Sequence, residues 1–136
     1  MQAKMIAGHE LTPGKTVKDH IHVEGTELHV PHVLLCGEQP GPTVLITAGI
    51  HNAEYVGIQA AIELSNELDV SVLRGNVILV PLVNRSGFEN RTMSRVFEDG
   101  KNLNRVFPGD REGSEAERLA HMLFEVFIRN ADAYID

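Results

Sequence analysis

The sequence has no tryptophan and a single cysteine, and its aromatic residues amount to only 5% of the 136. One cysteine, Cys36, excludes an internal disulfide framework and points to a reducing compartment. It sits in the apolar run Val33-Leu34-Leu35-Cys36, where a buried, unreactive thiol is expected rather than a nucleophile. Positive charge is also scarce: 12 Lys and Arg stand against 19 Asp and Glu, a formal charge of −7. That balance argues against nucleic acid or an anionic membrane as a partner, although a few local arginines can still hold a small anion. Long apolar runs are missing too. The longest, Val77 to Val83, is far short of the roughly 20 residues a membrane helix needs, and the start, MQAKMIAGHE, has no signal-peptide core. A cytoplasmic protein forming one domain, residues 1–136, is the expectation.

What is present alternates between two periods. Residues 16–23 and 28–35 are rich in β-branched and apolar side chains, with Gly25 between them, and predict an antiparallel hairpin. Glu38-Gln39-Pro40-Gly41-Pro42 reads as a turn. Thr43 to Ala48 predicts a strand buried on both faces. Over 54–68 the period lengthens, and Val56, Ala60, Ile62, Leu64 and Leu68 suggest one face of an amphipathic helix. Asn76 to Val83 predicts a second buried strand, with Pro81 ill-suited to its middle. Strand, helix, strand makes a βαβ unit with parallel strands and a right-handed crossover. Residues 84–113 read as a long loop, functional or disordered, Ser114 to Glu117 as a capping box opening a helix to about Ile128, and Ala131 to Asp136 as the start of another buried strand.

Two segments could carry chemistry. Gly49-Ile50-His51-Asn52-Ala53-Glu54 falls where a buried strand gives way to a helix, the usual place for a ligand crevice in an α/β sheet. His51 and Glu54, three residues apart at a helix start, can face the same way, and imidazole with carboxylate suits zinc. The spacing alone is equally that of a loop histidine beside a glutamate that favours a helix N-terminus. The second segment is Asp99-Gly100-Lys101-Asn102-Leu103-Asn104-Arg105-Val106-Phe107-Pro108-Gly109. Its Asn and Arg could grip a carboxylate, the guanidinium as a bidentate fork and the amide as a further donor, or could form a solvated loop. The remaining histidines, His20 with His22 and His29 with His32, read as partly exposed hairpin residues, and His121 as a core or boundary residue.

Taken in order, Gly49 to Glu54, Pro81 to Asn84 and Asp99 to Gly109 resemble the pattern of the succinylglutamate desuccinylase/aspartoacylase family, a branch of the zinc carboxypeptidase-like superfamily. The resemblance covers roughly residues 30–136. It implies an α/β fold with a mixed, largely parallel central sheet and flanking helices, of which this chain would be the N-terminal part, truncated after about residue 136. It also implies that His51 and Glu54 are two of three Zn(2+) ligands, and that Asn104 and Arg105 clamp the substrate's carboxylate. Asn102 would support the ligand histidine, and an upstream arginine, Arg95 before Arg91, would help hold substrate.

The chain departs from that pattern in two ways. Relatives often have glycine and then Asn or Asp between the ligands, where this chain has Asn52 and Ala53. Asparagine tolerates a left-handed backbone better than most residues, so Asn52 is expected to stand in for glycine at little cost. The third ligand, a histidine following an Asp that would be Asp136, and the general-base glutamate are expected downstream, so no catalytic base is assigned within the chain. The implied activity is hydrolysis of the amide bond of an N-acyl amino acid or similar small acylated amine. A zinc carboxypeptidase acting on peptides and a non-catalytic anion-binding module are the alternatives, and the isolated chain is expected to be inactive. An open sheet edge at the last strand would favour a homo-oligomer.

Overall fold

A computed structural model describes residues 4–136. A short ribbon, β1 (Met5–Ile6) and β2 (His9–Glu10), precedes the main sheet. The expected hairpin forms as β3 (Thr16–His22) and β4 (His29–Cys36), antiparallel from Thr16 opposite Leu35 to His22 opposite His29. Then come β5 (Gln39–Thr47), α1 (Tyr55–Glu67) and β6 (Arg74–Val80). A short α2 (Arg85–Asn90), α3 (Glu115–Met122) and β7 (Ala133–Ile135) complete the fold.

The five-stranded sheet has the order β3-β4-β6-β5-β7, with β5 parallel to β6 and to β7 and with β4 antiparallel to both its neighbours. It is therefore the mixed sheet of an α/β domain, and β5-α1-β6 is the expected parallel βαβ unit. Among the described residues β7 is an edge strand that exposes Tyr134 and Ile135. Among the described residues no helix is long and apolar enough to cross a membrane.

The central strands carry apolar residues on both faces because each face has its own cover. Leu28, Val30, Leu34, Leu45, Ile78 and Val80 meet Leu119, Leu123 and Phe127 from the helical segment on one side. Val33, Leu35, Val77 and Leu79 meet Ile58 and Ala61 of α1 on the other. Leu45, Ile78, Leu79, Val80 and Phe127 have no accessible surface. At about 25 cal/mol per Å², each such side chain contributes roughly 1.5–3 kcal/mol of burial.

Several local readings need correction. Pro40, Gly41 and Pro42 lie within β5, where the register against β6 shifts between Gln39 and Thr43. Proline chemistry there makes a bulge instead of a turn, because Gly41 and Gly75 let the two backbones approach closely. On α1 the buried face is Ile58 and Ala61, with Leu64 and Leu68 half-buried, whereas Val56, Ala60 and Ile62 face solvent. The segment has apolar residues on two faces, and only the narrow one against the sheet is used. β6 stops at Val80, one residue before Pro81. The long loop contains α2, capped by Asn84, and a 3-10 turn at Leu103–Arg105. The last helix begins with its capping box, Glu117 Oε2 accepting from Ser114 N at 2.8 Å, but widens to a π-helix over Leu123–Phe127 and tightens at Ile128–Asn130. Cys36 is buried, and burial raises its thiol pKa, as expected for an unreactive residue.

The histidines divide differently from the expectation. His29 and His32 point to opposite faces of β4, so they do not pair. His22 and His29 are the two that meet, cross-strand neighbours with ring centroids 4.9 Å apart. His32 is buried against Phe127.

Candidate metal and substrate site

The site grows from the carboxyl ends of β5 and β6. Parallel pairing delivers both chains to the same end of the sheet, and backbone hydrogen bonds continue past it. Ala48 N donates to Val80 O (3.0 Å), Val83 N to Ala48 O (3.0 Å) and Asn84 N to Gly49 O (2.9 Å). Gly49 turns the chain with φ of 70°, and a Cβ there would stand 2.8 Å from Leu82 Cδ1. That turn sends Ile50 into the core and leaves His51 at the rim.

His51 is held from both sides. Its Nδ1 lies 3.0 Å from Glu54 Oε1, one turn on at the start of α1, and its Nε2 lies 3.0 Å from Asn102 Oδ1. The same Asn102 oxygen accepts Asn104 N at 3.0 Å and so caps the Leu103–Arg105 turn. With an acceptor at each nitrogen, the ring favours two protons, and its pKa is raised by the Asn102 bond first and the Glu54 bond second. The Asp136 carboxylate adds to that pull.

The long motif separates into anchors and presented groups. Asp99 Oδ2 accepts Ala116 N at 2.8 Å, tying the loop to the start of α3. Leu103 is fully buried in the core. Gly109, φ 86°, lies so close to α3 that a Cβ would stand 2.3 Å from Glu117 O and His121 N. Between these anchors Asn102, Asn104 and Arg105 are left at the surface end. Arg105 is exposed; its backbone N–H donates to Asn102 O at 3.0 Å, while its guanidinium makes no hydrogen bond or ion pair among the described residues. Asn104 borders a cavity of about 580 Å³ walled by Ile50, Phe107, Phe124 and Tyr134, with Asp136 also at its edge.

Arg95 joins Asn102 through an isolated antiparallel bridge, and its guanidinium donates to Gly100 O at 2.8 Å. Arg91, the second choice, ends α2 in a left-handed conformation with φ of 55° and is exposed. The structure thus brings His51, Glu54, Asn102 and Asn104 together, with Arg105 next in the chain and Arg95 one bridge away.

Sequence reading missed three supporting residues. Asn52 is not in the left-handed region; it is buried, and its Oδ1 accepts Asn84 Nδ2 at 3.0 Å. Asn84 joins several loops at once. Thr47, buried at the end of β5, lies 2.8 Å from Tyr134 Oη and donates to Asp136 Oδ1 at 2.7 Å, fixing the carboxyl end of β7 beside the site. Buried polar residues at strand ends were the available signal, since such groups need partners.

The chain matches the family described as the succinylglutamate desuccinylase/aspartoacylase catalytic domain over residues 40–136. It is 41% identical over 97 residues to the N-alpha-acetyl-L-2,4-diaminobutyric acid deacetylase of Halomonas elongata, covering 71% of this chain and 28% of that protein. A crystal structure of an aspartoacylase family protein from Mesorhizobium loti superposes with a TM-score of 0.83 at 33% identity, over 98% of this chain and 43% of the other. Thrombin activatable fibrinolysis inhibitor, at 15% identity and a TM-score of 0.64, shares the fold alone, over 89% of this chain and 41% of its own. The chain therefore spans less than half the length of the proteins it matches.

Proposed function

Because the chain belongs to the succinylglutamate desuccinylase/aspartoacylase catalytic-domain family, we propose that the protein carrying it is a zinc-dependent deacylase. Its substrate would be an N-acyl amino acid or a related small acylated amine, in line with the deacetylase relative. The observation that carries this reading is the His51–Glu54 pair braced by Asn102. Nδ1 and Oε1 lie 3.0 Å apart, and an imidazole nitrogen beside a carboxylate oxygen is a donor pair that would suit zinc. The proton that His51 holds between them is what a metal would replace. Asn102 already makes the bond to the other nitrogen that orients a ligand histidine.

Zinc, when bound, supplies a polarised scissile carbonyl and a water of lowered pKa. This chain's own residues bind and orient. Arg105, without an internal partner, offers a bidentate fork to the substrate's carboxylate, and Asn104 offers its amide beside it. Holding the carboxylate there converts binding energy into placement of the amide bond over the metal ligands. The third ligand and the general base belong downstream of Asp136, so the 136 residues alone would bind the anion without turning it over.

The test is metal content and turnover of the full-length protein. About one zinc per chain, amine release from N-acyl amino acids and loss of both in Glu54→Gln are expected. Undiminished turnover after chelation would sink the reading, and release of free amino acids from peptide C-termini would move it to the carboxypeptidase branch.

A further inference from the structure

Asn84 is fully buried, yet it joins the loop that carries His51 and Glu54, the segment at Arg95 and the start of α2. Its backbone N–H donates to Gly49 O (2.9 Å), in the loop that carries His51 and Glu54. Its side-chain amide donates to Asn52 Oδ1 (3.0 Å), between those two residues, and to Arg95 O (3.0 Å), across from Asn102. Its Oδ1 accepts Gly87 N (3.1 Å) and so caps α2. Both protons and the acceptor of one amide are thereby used on three separate segments. The fit is close: a Cβ on Gly87 would stand 2.5 Å from Asn84 Nδ2 and 2.7 Å from both Arg95 O and Asn52 Oδ1.

We infer that Asn84 is a positioning residue: it sets the angle of the His51–Glu54 pair and the height of the Arg95 segment relative to it. The inference rests on the zinc deacylase reading for its functional consequence but on hydrogen bonds alone for its mechanics. Side chains that touch no ligand can still decide metal affinity when they fix the backbone from which ligands project. Asn52 sharpens the arrangement, because glycine at that position would leave one Asn84 proton without its acceptor in a buried place.

Asn84→Asp separates the two donor bonds from the rest. The variant keeps an acceptor for Gly87 N, and with it the cap on α2, but replaces the donating amide with a carboxylate facing Asn52 Oδ1 and Arg95 O. In the full-length protein, zinc affinity read by competition with a chelating dye should fall about 10- to 100-fold. Amide exchange should accelerate at residues 49–54 and 92–96 while β4 and β6 stay protected. Asn84→Ala should show the same pattern with a further loss at α2. Wild-type zinc affinity together with wild-type exchange in Asn84→Asp would overturn the inference. If the unaltered protein takes up no zinc, the deacylase reading falls, and exchange alone decides: faster exchange in both loops retains the positioning role, and unchanged exchange refutes it.

Discussion

Replacing His32 with leucine probes how this core tolerates a polar group. His32 is 2% exposed, its ring lies 5.6 Å from that of Phe127, and neither ring nitrogen has a hydrogen-bond partner among the described residues. An unpartnered buried polar group costs about 1–3 kcal/mol. Leucine fills a similar volume with carbon, so His32→Leu should stabilise the fold by about 1–3 kcal/mol at pH 8. The pH dependence is the sharper part. Burial holds the imidazole below its ordinary pKa of 6.5, with the nearby Val30 backbone and then Asp19, its cross-strand partner, pulling the other way. The unfolded chain therefore binds more protons than the folded one as pH falls through 6.5, and stability is lost in that direction. A native imidazole that never protonated would cost about 2 kcal/mol between pH 8 and pH 5. The pull of Asp19 should hold the loss below that limit. Urea unfolding of both proteins from pH 5 to pH 8 reads the difference. Parallel stability curves, or a leucine variant less stable than the parent at pH 8, would refute the reasoning.

Two further variants test the long motif. Gly109→Ala should lower the unfolding midpoint by about 5 °C or more, because its Cβ meets α3 backbone. Gly100→Ala, also at positive φ but with nothing within 4 Å, should cost clearly less; equal losses would show that the approach to α3 is not what selects glycine. In the full-length protein Arg105→Ala should raise KM for carboxylate substrates about 10- to 100-fold with a smaller change in kcat. An equal effect on substrates without a carboxylate would remove Arg105 from the clamp.

The strand and helix skeleton was legible because β5, β6 and their crossover helix obey simple periods. Pro81 even marked the strand end. The faces of α1 were not legible, since Val56 and Ile62 satisfy the same period as Ile58 and Ala61, and only the sheet chooses between them. The site residues His51, Glu54, Asn102, Asn104 and Arg105 were named through a family pattern, and in the structure Asn102 Oδ1 lies 3.0 Å from His51 Nε2. Asn52 and Asn84 stayed hidden as supports because an asparagine is ordinarily read as a turn former. Their burial arises only when three loops, distant in sequence, close around one amide.

Asp99 and Gly109 fasten the motif loop to α3 at two points, and Leu103 sinks its middle into the core. Arg105 and Asn104 are thus carried on a fixed jaw. In the proposed clamp an incoming anion would meet donors whose backbone was ordered during folding, leaving only side-chain freedom to be lost at the moment of capture. If substrate has to be enclosed, the moving part must come from another segment, and changes of substrate preference are more readily made there than on this loop.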